Sequence, residues 1–334
     1  MAVLLTGGAG FIGSHTCVEL LNAGEDIIVL DNFSNSGKEV IARIKEITGK
    51  SAMLEEADIL DEAALRTVFG KYQIESVVHF AGLKAVGESV QKPLAYYTTN
   101  ISGTLNLLRV MDEFDCRRMV FSSSATVYGT STDVPFGEDT PTSATNPYGQ
   151  TKVVLERVMQ DLYASDSRWS IVLLRYFNPI GAHSSGLIGE DPEGIPNNLV
   201  PYIAKLAAGK LPKLNVFGND YPTPDGTGVR DYLHVVDLAL GHLAALKYAR
   251  GGACCEAVNL GTGVGYSVLD VLHAYERACG RSLAYEIAPR RAGDIAECYA
   301  NPTKAKDLLG WAAKAGLDEM CADSWRYARR AYGV

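Results

Sequence analysis

The sequence lacks any long apolar run, any paired-cysteine motif and any block of basic residues. A membrane-spanning helix needs about 20 consecutive apolar residues. No stretch here reaches that length, so no membrane insertion is expected. The seven cysteines (17, 116, 254, 255, 279, 298 and 321) are odd in number and contain no C-x-x-C pair. That spacing argues against a zinc ribbon or a disulfide framework and favours reduced thiols in a cytoplasmic protein. The six histidines show no H-x-x-x-H spacing, so no metal is expected. Thirty-one Lys and Arg against 39 Asp and Glu leave a net charge of −8. With no basic patch to offset it, this balance argues against a nucleic-acid partner. Tryptophan is scarce, and Trp169, Trp311 and Trp325 read as packing residues. Repeats and low-complexity linkers are absent. Met1-Ala2-Val3-Leu4-Leu5 runs directly into Gly7-Gly8, which leaves no room for a signal-peptide core.

What is present is 334 residues, about two domains by length. Val3–Thr6 reads as a buried strand, Gly7 to Gly13 as a glycine-rich turn, and the residues through Leu21 as a helix. Glycines 8, 10 and 13 satisfy G-x-G-x-x-G, and 7, 10 and 13 satisfy G-x-x-G-x-x-G. Between a strand and a helix, such glycines let backbone N–H groups approach a pyrophosphate. A second strand, Ile27–Leu30, ends at Asp31. An acid there accepts from an adenosine ribose and repels a 2′-phosphate, favouring NAD over NADP. Further strands are expected at 52–57, 77–80, 119–121 and 171–175, with a long helix from Leu94 to Phe114. The alternation predicts an α/β fold, a Rossmann-type doubly wound parallel sheet. Beyond Pro179 the chain becomes rich in Gly, Pro, Asn and Asp at 181–198 and 215–230. This predicts a smaller mixed C-terminal substrate domain.

Asn146-Pro147-Tyr148-Gly149-Gln150-Thr151-Lys152 opens an apolar-periodic helix, with Pro147 suited to its first position. Tyr148 and Lys152 are four apart on one face. A nearby ammonium and the helix N-terminus both lower a phenol's pKa, which suits a tyrosine taking a proton from an alcohol. Met119–Phe121 ends at Ser122-Ser123-Ser124, at the sheet edge where ligands bind. One of these serines is placed to relay that proton and the other two read as structural.

Thr6 to Gly13, Ser124, Tyr148-x-x-x-Lys152 and Arg175-Tyr176-Phe177-Asn178-Pro179 resemble the extended short-chain dehydrogenase/reductases. Phe80 to Ser89, Gly194 to Leu199, Thr227 to Tyr232 and Ala288-Pro289-Arg290-Arg291-Ala292-Gly293-Asp294 narrow the resemblance to the UDP-galactose (UDP-glucose) 4-epimerase family. The matches run from residue 1 to about 300. The resemblance implies a reversible 4-epimerisation of UDP-galactose and UDP-glucose through a transient 4-keto sugar and NADH. It makes Tyr148 the base, Ser124 the bridge to the sugar hydroxyl and Lys152 the holder of the nicotinamide ribose. It also gives NAD contacts to Gly7, Gly10, Phe11, Ile12 and Gly13, and to Asp31, Asn32, Phe33, Ser34, Asn35 and Ser36. Asp58, Ile59, Phe80, Ala81, Gly82, Lys84 and Phe177 complete that set. For the UDP-sugar it implies Lys84, Asn178, Asn198 and Leu199, with Arg230 and Arg291 on the diphosphate. Asn215, Val216 and Phe217 fall to the uracil and Asp294 to the uridine ribose. Position 298 is the family's gate on sugar size. Cys298 in place of tyrosine implies room for UDP-GalNAc and UDP-GlcNAc, although a one-residue slip would put Tyr299 there.

On this reading residues 1–178, with a return segment at about 231–262, form the NAD-binding domain. Residues 179–230 and 263–334 form the UDP-sugar-binding domain, and the family implies a homodimer through helices around 94–114 and 148–166. A nucleotide-sugar 4,6-dehydratase is the nearest rival, but it needs an Asp-Glu pair where this chain has Ala125 and Thr126. A net dehydrogenase would have to release NADH at each turnover. A non-catalytic NAD-binding sensor has no need of the Ser-Tyr-Lys set.

Overall fold

Short apolar strands alternating with amphipathic helices build the first half of the chain. In the computed structural model, residues 1–192, 194–291 and 293–334 are described; Ala292 of the motif quoted above lies outside the described residues. The order begins β1 (Ala2–Thr6), α1 (Phe11–Asn22), β2 (Ile27–Asp31), α2 (Glu39–Thr48), β3 (Met53–Glu56), α3 (Glu62–Lys71) and β4 (Ile74–His79). It continues through α4 (Val86–Gln91), α5 (Pro93–Tyr96), α6 (Gly103–Glu113), β5 (Arg118–Ser122), α7 (Pro147–Ser165) and β6 (Ser170–Tyr176). Together with β10 (Cys254–Leu260), the first six strands form a seven-stranded sheet, β10-β6-β5-β4-β1-β2-β3. Every pairing in it is parallel. Both faces are covered, so β1 and β2 are buried along their whole length. Val3 and Leu5 pack on one face with Val18 and Leu238; Leu4 and Ile28 pack on the other with Phe121 and Leu155.

The strand order reverses between β1 and β4. In such sheets the crevice outside the strands' carboxyl ends at that reversal is where ligands bind. The Gly7–Gly13 turn and the Phe80–Lys84 loop both follow strands that flank this point.

The remaining elements are β7 (Asn178–Ile180), α8 (Leu199–Ala207), β8 (Leu214–Phe217), β9 (Val229–His234), α9 (Val235–Arg250) and β11 (Gly265–Ser267). After them come α10 (Val268–Cys279), β12 (Tyr285–Ala288), β13 (Glu297–Cys298), α11 (Thr303–Leu309) and α12 (Leu317–Tyr332). β9 pairs with β7, β11 and β13, and β8 pairs with β12. Helices α8, α10 and α12 close a separate core around Ile203, Leu272, Tyr275 and Met320. The chain crosses between the two units inside one stretch. β9 lies in the small sheet, whereas α9 packs on α1 and β10 edges the large sheet.

The long helix expected from Leu94 to Phe114 is interrupted. Between α5 and α6 the turn Tyr97–Ser102 is π-helical. Asn100 explains the break, because its side chain is bound to the loop after β4 and to α7. Its Oδ1 accepts from Leu83 N at 2.8 Å, and its Nδ2 donates to Leu83 O at 3.0 Å and Thr151 Oγ1 at 3.1 Å. Single π-turns of this kind tend to sit near functional sites.

Candidate active site

Helix α7 starts where its sequence places it. Pro147 occupies the first turn, and the Asn146 side chain caps it by accepting from Gly149 N at 2.9 Å. Tyr148, Lys152 and Glu156 then recur along one face. Opposite that face runs the end of β5 with its three serines. The Ser124 side chain faces Tyr148 and favours the ionised phenol. Lys152 donates to the Ser122 carbonyl at 2.5 Å, and the Ser123 hydroxyl donates to Glu156 at 2.5 Å. Ser122 also bonds the Tyr176 hydroxyl through its side chain. Thus Ser124, Tyr148 and Lys152, predicted separately, converge at the strand end, with Ser124 and Lys152 buried and Tyr148 partly exposed.

The electrostatics differ from the expectation that Lys152 lowers the tyrosine. Burial raises the Tyr148 phenol, and the opposing influences are the Ser124 side chain and the charge of Lys84. The reason is where the Lys152 ammonium points. It sits on the Ser122 carbonyl, 4.8 Å from the Phe121 ring centroid and 5.8 Å from that of Tyr148. Burial also brings Lys152 itself down to about 8, against the pull of Glu156. Lys84 is half-exposed and paired with Glu190 at 2.8 Å. Burial works against its ammonium, but Glu190 more than offsets this and raises its pKa. Glu190 went unremarked in the sequence because it belongs to a loop 106 residues further along.

The glycine turn has the shape of a phosphate cradle. Gly7 has φ +69°, and a Cβ there would lie 2.7 Å from Ala81 N; a Cβ on Gly13 would lie 2.3 Å from Gly7 O. Larger residues would fill this space or force it open. The N-terminus of α1 has no side-chain cap and no acid in its first turn, which suits an anion. Phe11 and Ile12 begin that helix. Asp31 is buried at the end of β2 and accepts from Ala9 N, Phe33 N and Ser36 Oγ at 2.9, 2.9 and 3.0 Å. A carboxylate offers about four acceptor sites, so room remains for a ribose hydroxyl. Asn32 donates to Asp58 at 2.8 Å, joining the loops after β2 and β3, with Ser34 and Asn35 exposed and Ile59 buried beneath. The residues present therefore fit a dinucleotide. Gly82 closes the rim of the crevice against the Asn100 side chain, and Phe80 and Ala81 connect it to β4.

Phe177 is buried with Val127, Tyr128, Phe136 and Ala300, and Cys298 and Ala125 pack against this cluster. Tyr299 goes elsewhere: its ring lies against Gly265, while its carbonyl accepts from Phe136 N. The side chain at this seam against Phe177 and Ala125 is therefore Cys298, and its thiol is pushed up to about 11 by burial. Cys298 pairs with Arg230 across β13 and β9. Arg230 bonds only carbonyl oxygens, Val229 O at 2.8 Å and Ala296 O at 3.4 Å, and has no carboxylate partner among the described residues. Arg291 is paired with Asp294 at 2.9 Å and lies 5.0 Å from the Phe217 ring centroid. Asn215 and Phe217 project outward from β8 whereas Val216 is core, leaving only its backbone for a ligand. Asn178 is half-buried on β7, and Asn198 is exposed ahead of Leu199 at the start of α8.

The sequence also compares directly with known proteins. A family model described as GDP-mannose 4,6 dehydratase matches residues 4–324. A Bacillus subtilis protein named UDP-glucose 4-epimerase is 61% identical over 98% of this chain and 96% of its own. A human protein of the same name is 55% identical with the same coverage. The crystal structure of UDP-glucose 4-epimerase from Bifidobacterium longum, in complex with NAD+ and UDP, superimposes with a TM-score of 0.95. It is 53% identical and covers 99% of this chain and 98% of that one. The chain belongs to the UDP-glucose 4-epimerase family, within the wider family described by the GDP-mannose 4,6 dehydratase model.

Proposed function

We propose that this protein interconverts UDP-galactose and UDP-glucose by reversible epimerisation at C4, through a transient 4-keto sugar. The observation that carries the proposal is the meeting of Ser124, Tyr148 and Lys152 beyond the carboxyl end of β5, one strand from the sheet's point of reversal. NAD, when bound, would supply hydride-transfer chemistry at C4. Gly7, Gly10, Phe11, Ile12 and Gly13 would hold its diphosphate, and Asp31 with the following loop would hold the adenosine ribose. Asp58 and Ile59 would serve the adenine end, and Phe80, Ala81, Gly82, Lys84, Phe177 and Lys152 the nicotinamide half.

Tyr148 accepts the proton of the sugar 4-hydroxyl and Ser124 bridges the two oxygens. Returning the proton after the sugar has turned completes the exchange of configuration. Epimerisation requires a firm hold on the nucleotide and a loose one on the hexose. Arg230, lacking a carboxylate partner among the described residues, supplies the larger share of charge for the diphosphate. Arg291 must share itself with Asp294. Asn215 to Phe217 and Asp294 take the uridine, and Lys84, Asn178, Asn198 and Leu199 the remaining sugar contacts.

The small Cys298 side chain at the seam supports a second pair of substrates, UDP-GalNAc and UDP-GlcNAc, because a tyrosine would fill that space. The protein acts as a homodimer through α6 and α7; Val90 and Leu94, exposed in the helices leading into α6, support an apolar contact there. Its cysteines are all free thiols, which supports a cytoplasmic location. Among the described residues no helix is long and apolar enough to cross a membrane. The dehydratase reading suggested by the family model is opposed at the site. Ala125 has no ionisable group, and the Thr126 hydroxyl is a poor acid near neutral pH.

The test is to incubate purified protein with UDP-galactose without added reductant. UDP-glucose at equilibrium, with no net NADH, is the expected result. A 4-keto-6-deoxy sugar would instead establish the dehydratase, and accumulating NADH a dehydrogenase.

A further inference from the structure

Three consecutive residues at the end of β5 each grip one residue on the same face of α7. Ser124 reaches Tyr148, the Ser122 carbonyl takes Lys152, and Ser123 donates to Glu156. The first two helical residues belong to the reaction. Glu156 lies one turn further along, is 3% exposed and has no place in that chemistry. A carboxylate there is expensive to bury unless it is paired.

Glu156 is paired thoroughly. Arg175 on β6 donates to it from Nε at 3.0 Å and from Nη2 at 2.6 Å. Arg175 in turn donates to the Tyr128 hydroxyl at 3.2 Å and the Glu138 carbonyl at 3.0 Å. Tyr128 donates to Asn259 Oδ1 at 2.6 Å. Packing alone does not require this arrangement, since apolar residues often replace a buried ion pair without loss of stability.

We propose that Glu156 is a positioning residue for Lys152: its buried carboxylate, oriented by Arg175 and Ser123, is the counter-charge that holds the lysine ammonium at the strand end beside Tyr148. The consequence for turnover rests on the epimerase reading; the electrostatics do not. The groups facing Lys152 are few. From β5 it meets the Phe121 ring and the Ser122 carbonyl, the latter joined through its own side chain to Tyr176. From β4 it meets His79, which is neutral because burial takes its pKa to about 3. On α7 it meets Tyr148, whose phenol burial raises against the pull of Ser124 and Lys84. Glu156 is therefore the anion opposing the loss of charge that burial imposes on Lys152, and Arg175 weakens it.

The experiment compares wild type with Glu156→Gln, Glu156→Asp and Arg175→Met. The readouts are the pH profile of kcat with UDP-galactose and the pH dependence of thermal unfolding. Loss of the Lys152 proton sets the alkaline limb of the profile. Glu156→Gln should lower that limb measurably, by up to about one pH unit, because removing an opposite charge lowers an ammonium's pKa. Glu156→Asp should lower it less, and Arg175→Met should raise it. A merely structural role would lower thermal stability and leave the limb in place. Glu156→Asp keeps both the charge and a partner for Arg175, so it serves if Glu156→Gln does not fold.

The unfolding measurement needs no turnover. A buried lysine penalises the native state below its folded pKa, so stability should rise with pH from about 8 to 10.5 in wild type. In Glu156→Gln that rise should begin at lower pH. An unmoved limb in Glu156→Asp and in whichever other variant folds overturns the proposal. Wild type that epimerises nothing overturns the proposed function instead, and the unfolding curves still decide the role of Glu156.

Discussion

Tyr148 is the residue on which the chemistry turns, and its neighbours define what its loss should do. Tyr148→Phe removes the acceptor for the 4-hydroxyl proton but keeps the ring volume. Loss of a positioned base costs about 10²–10⁴-fold in rate. The expected result is a kcat reduced within that range, with NAD still bound, measured by product formation and by cofactor retention on gel filtration. Cys298→Tyr addresses sugar size. Filling the seam next to Phe177 and Ala125 should cost UDP-GlcNAc turnover about tenfold or more and leave UDP-glucose turnover largely intact. Equal kcat/KM for UDP-GlcNAc in both proteins would remove Cys298 from that role. At this scale the spacing of Tyr148 and Lys152 was legible because helix geometry converts four residues into one face. The direction in which Lys152 points was not, because it depends on the Ser122 carbonyl from another strand. Glu156 had a readable signal, four residues past Lys152, but its meaning comes from Arg175 across 19 residues of chain.

Among the elements, α7 is the one whose start matters most, since Tyr148 occupies its first turn. Asn146→Ala removes the side-chain cap on Gly149 N. Such a change typically costs about 1 kcal/mol. Fraying of the first turn should also loosen Tyr148, so kcat should fall more than KM changes. Chemical denaturation and steady-state kinetics check the two parts. Strands β1, β2, β4, β5 and β6 were visible as apolar runs because both faces of a parallel sheet are buried. The break between α5 and α6 was not visible. Residues 94–114 carry helix-forming patterns throughout, and the π-turn follows from Asn100 bonding to Leu83 and Thr151, contacts absent from local sequence.

For the molecule as a whole, stability depends on ties between distant parts of the chain. Arg250, at the end of α9, pairs with Glu25 before β2 at 2.6 Å and also with Glu75 on β4. Hydrogen bonding to Arg250 holds the Glu25 carboxyl below its ordinary value, against a smaller opposing effect of burial. A carboxylate with a lowered folded pKa stabilises the protein above its ordinary value of 4.5, and that contribution is lost as pH falls through the folded value. Arg250→Leu should cost about 2 kcal/mol at neutral pH, as expected for charged hydrogen bonds in a partly buried setting. Against wild type, the deficit should shrink on acidification below pH 4.5, as urea unfolding at several pH values would reveal. By itself the sequence determined the alternation of strand and helix, the glycine turn, Asp31 at the end of β2 and the Tyr148–Lys152 face. All of these are encoded in neighbouring residues through periodicity and backbone sterics. Tertiary structure alone decided that Ser122, Ser123 and Ser124 each meet a different residue of α7, that Glu190 meets Lys84, and that Cys298 rather than Tyr299 faces Phe177. Those contacts join segments tens of residues apart, where sheet order and strand register fix which side chains meet.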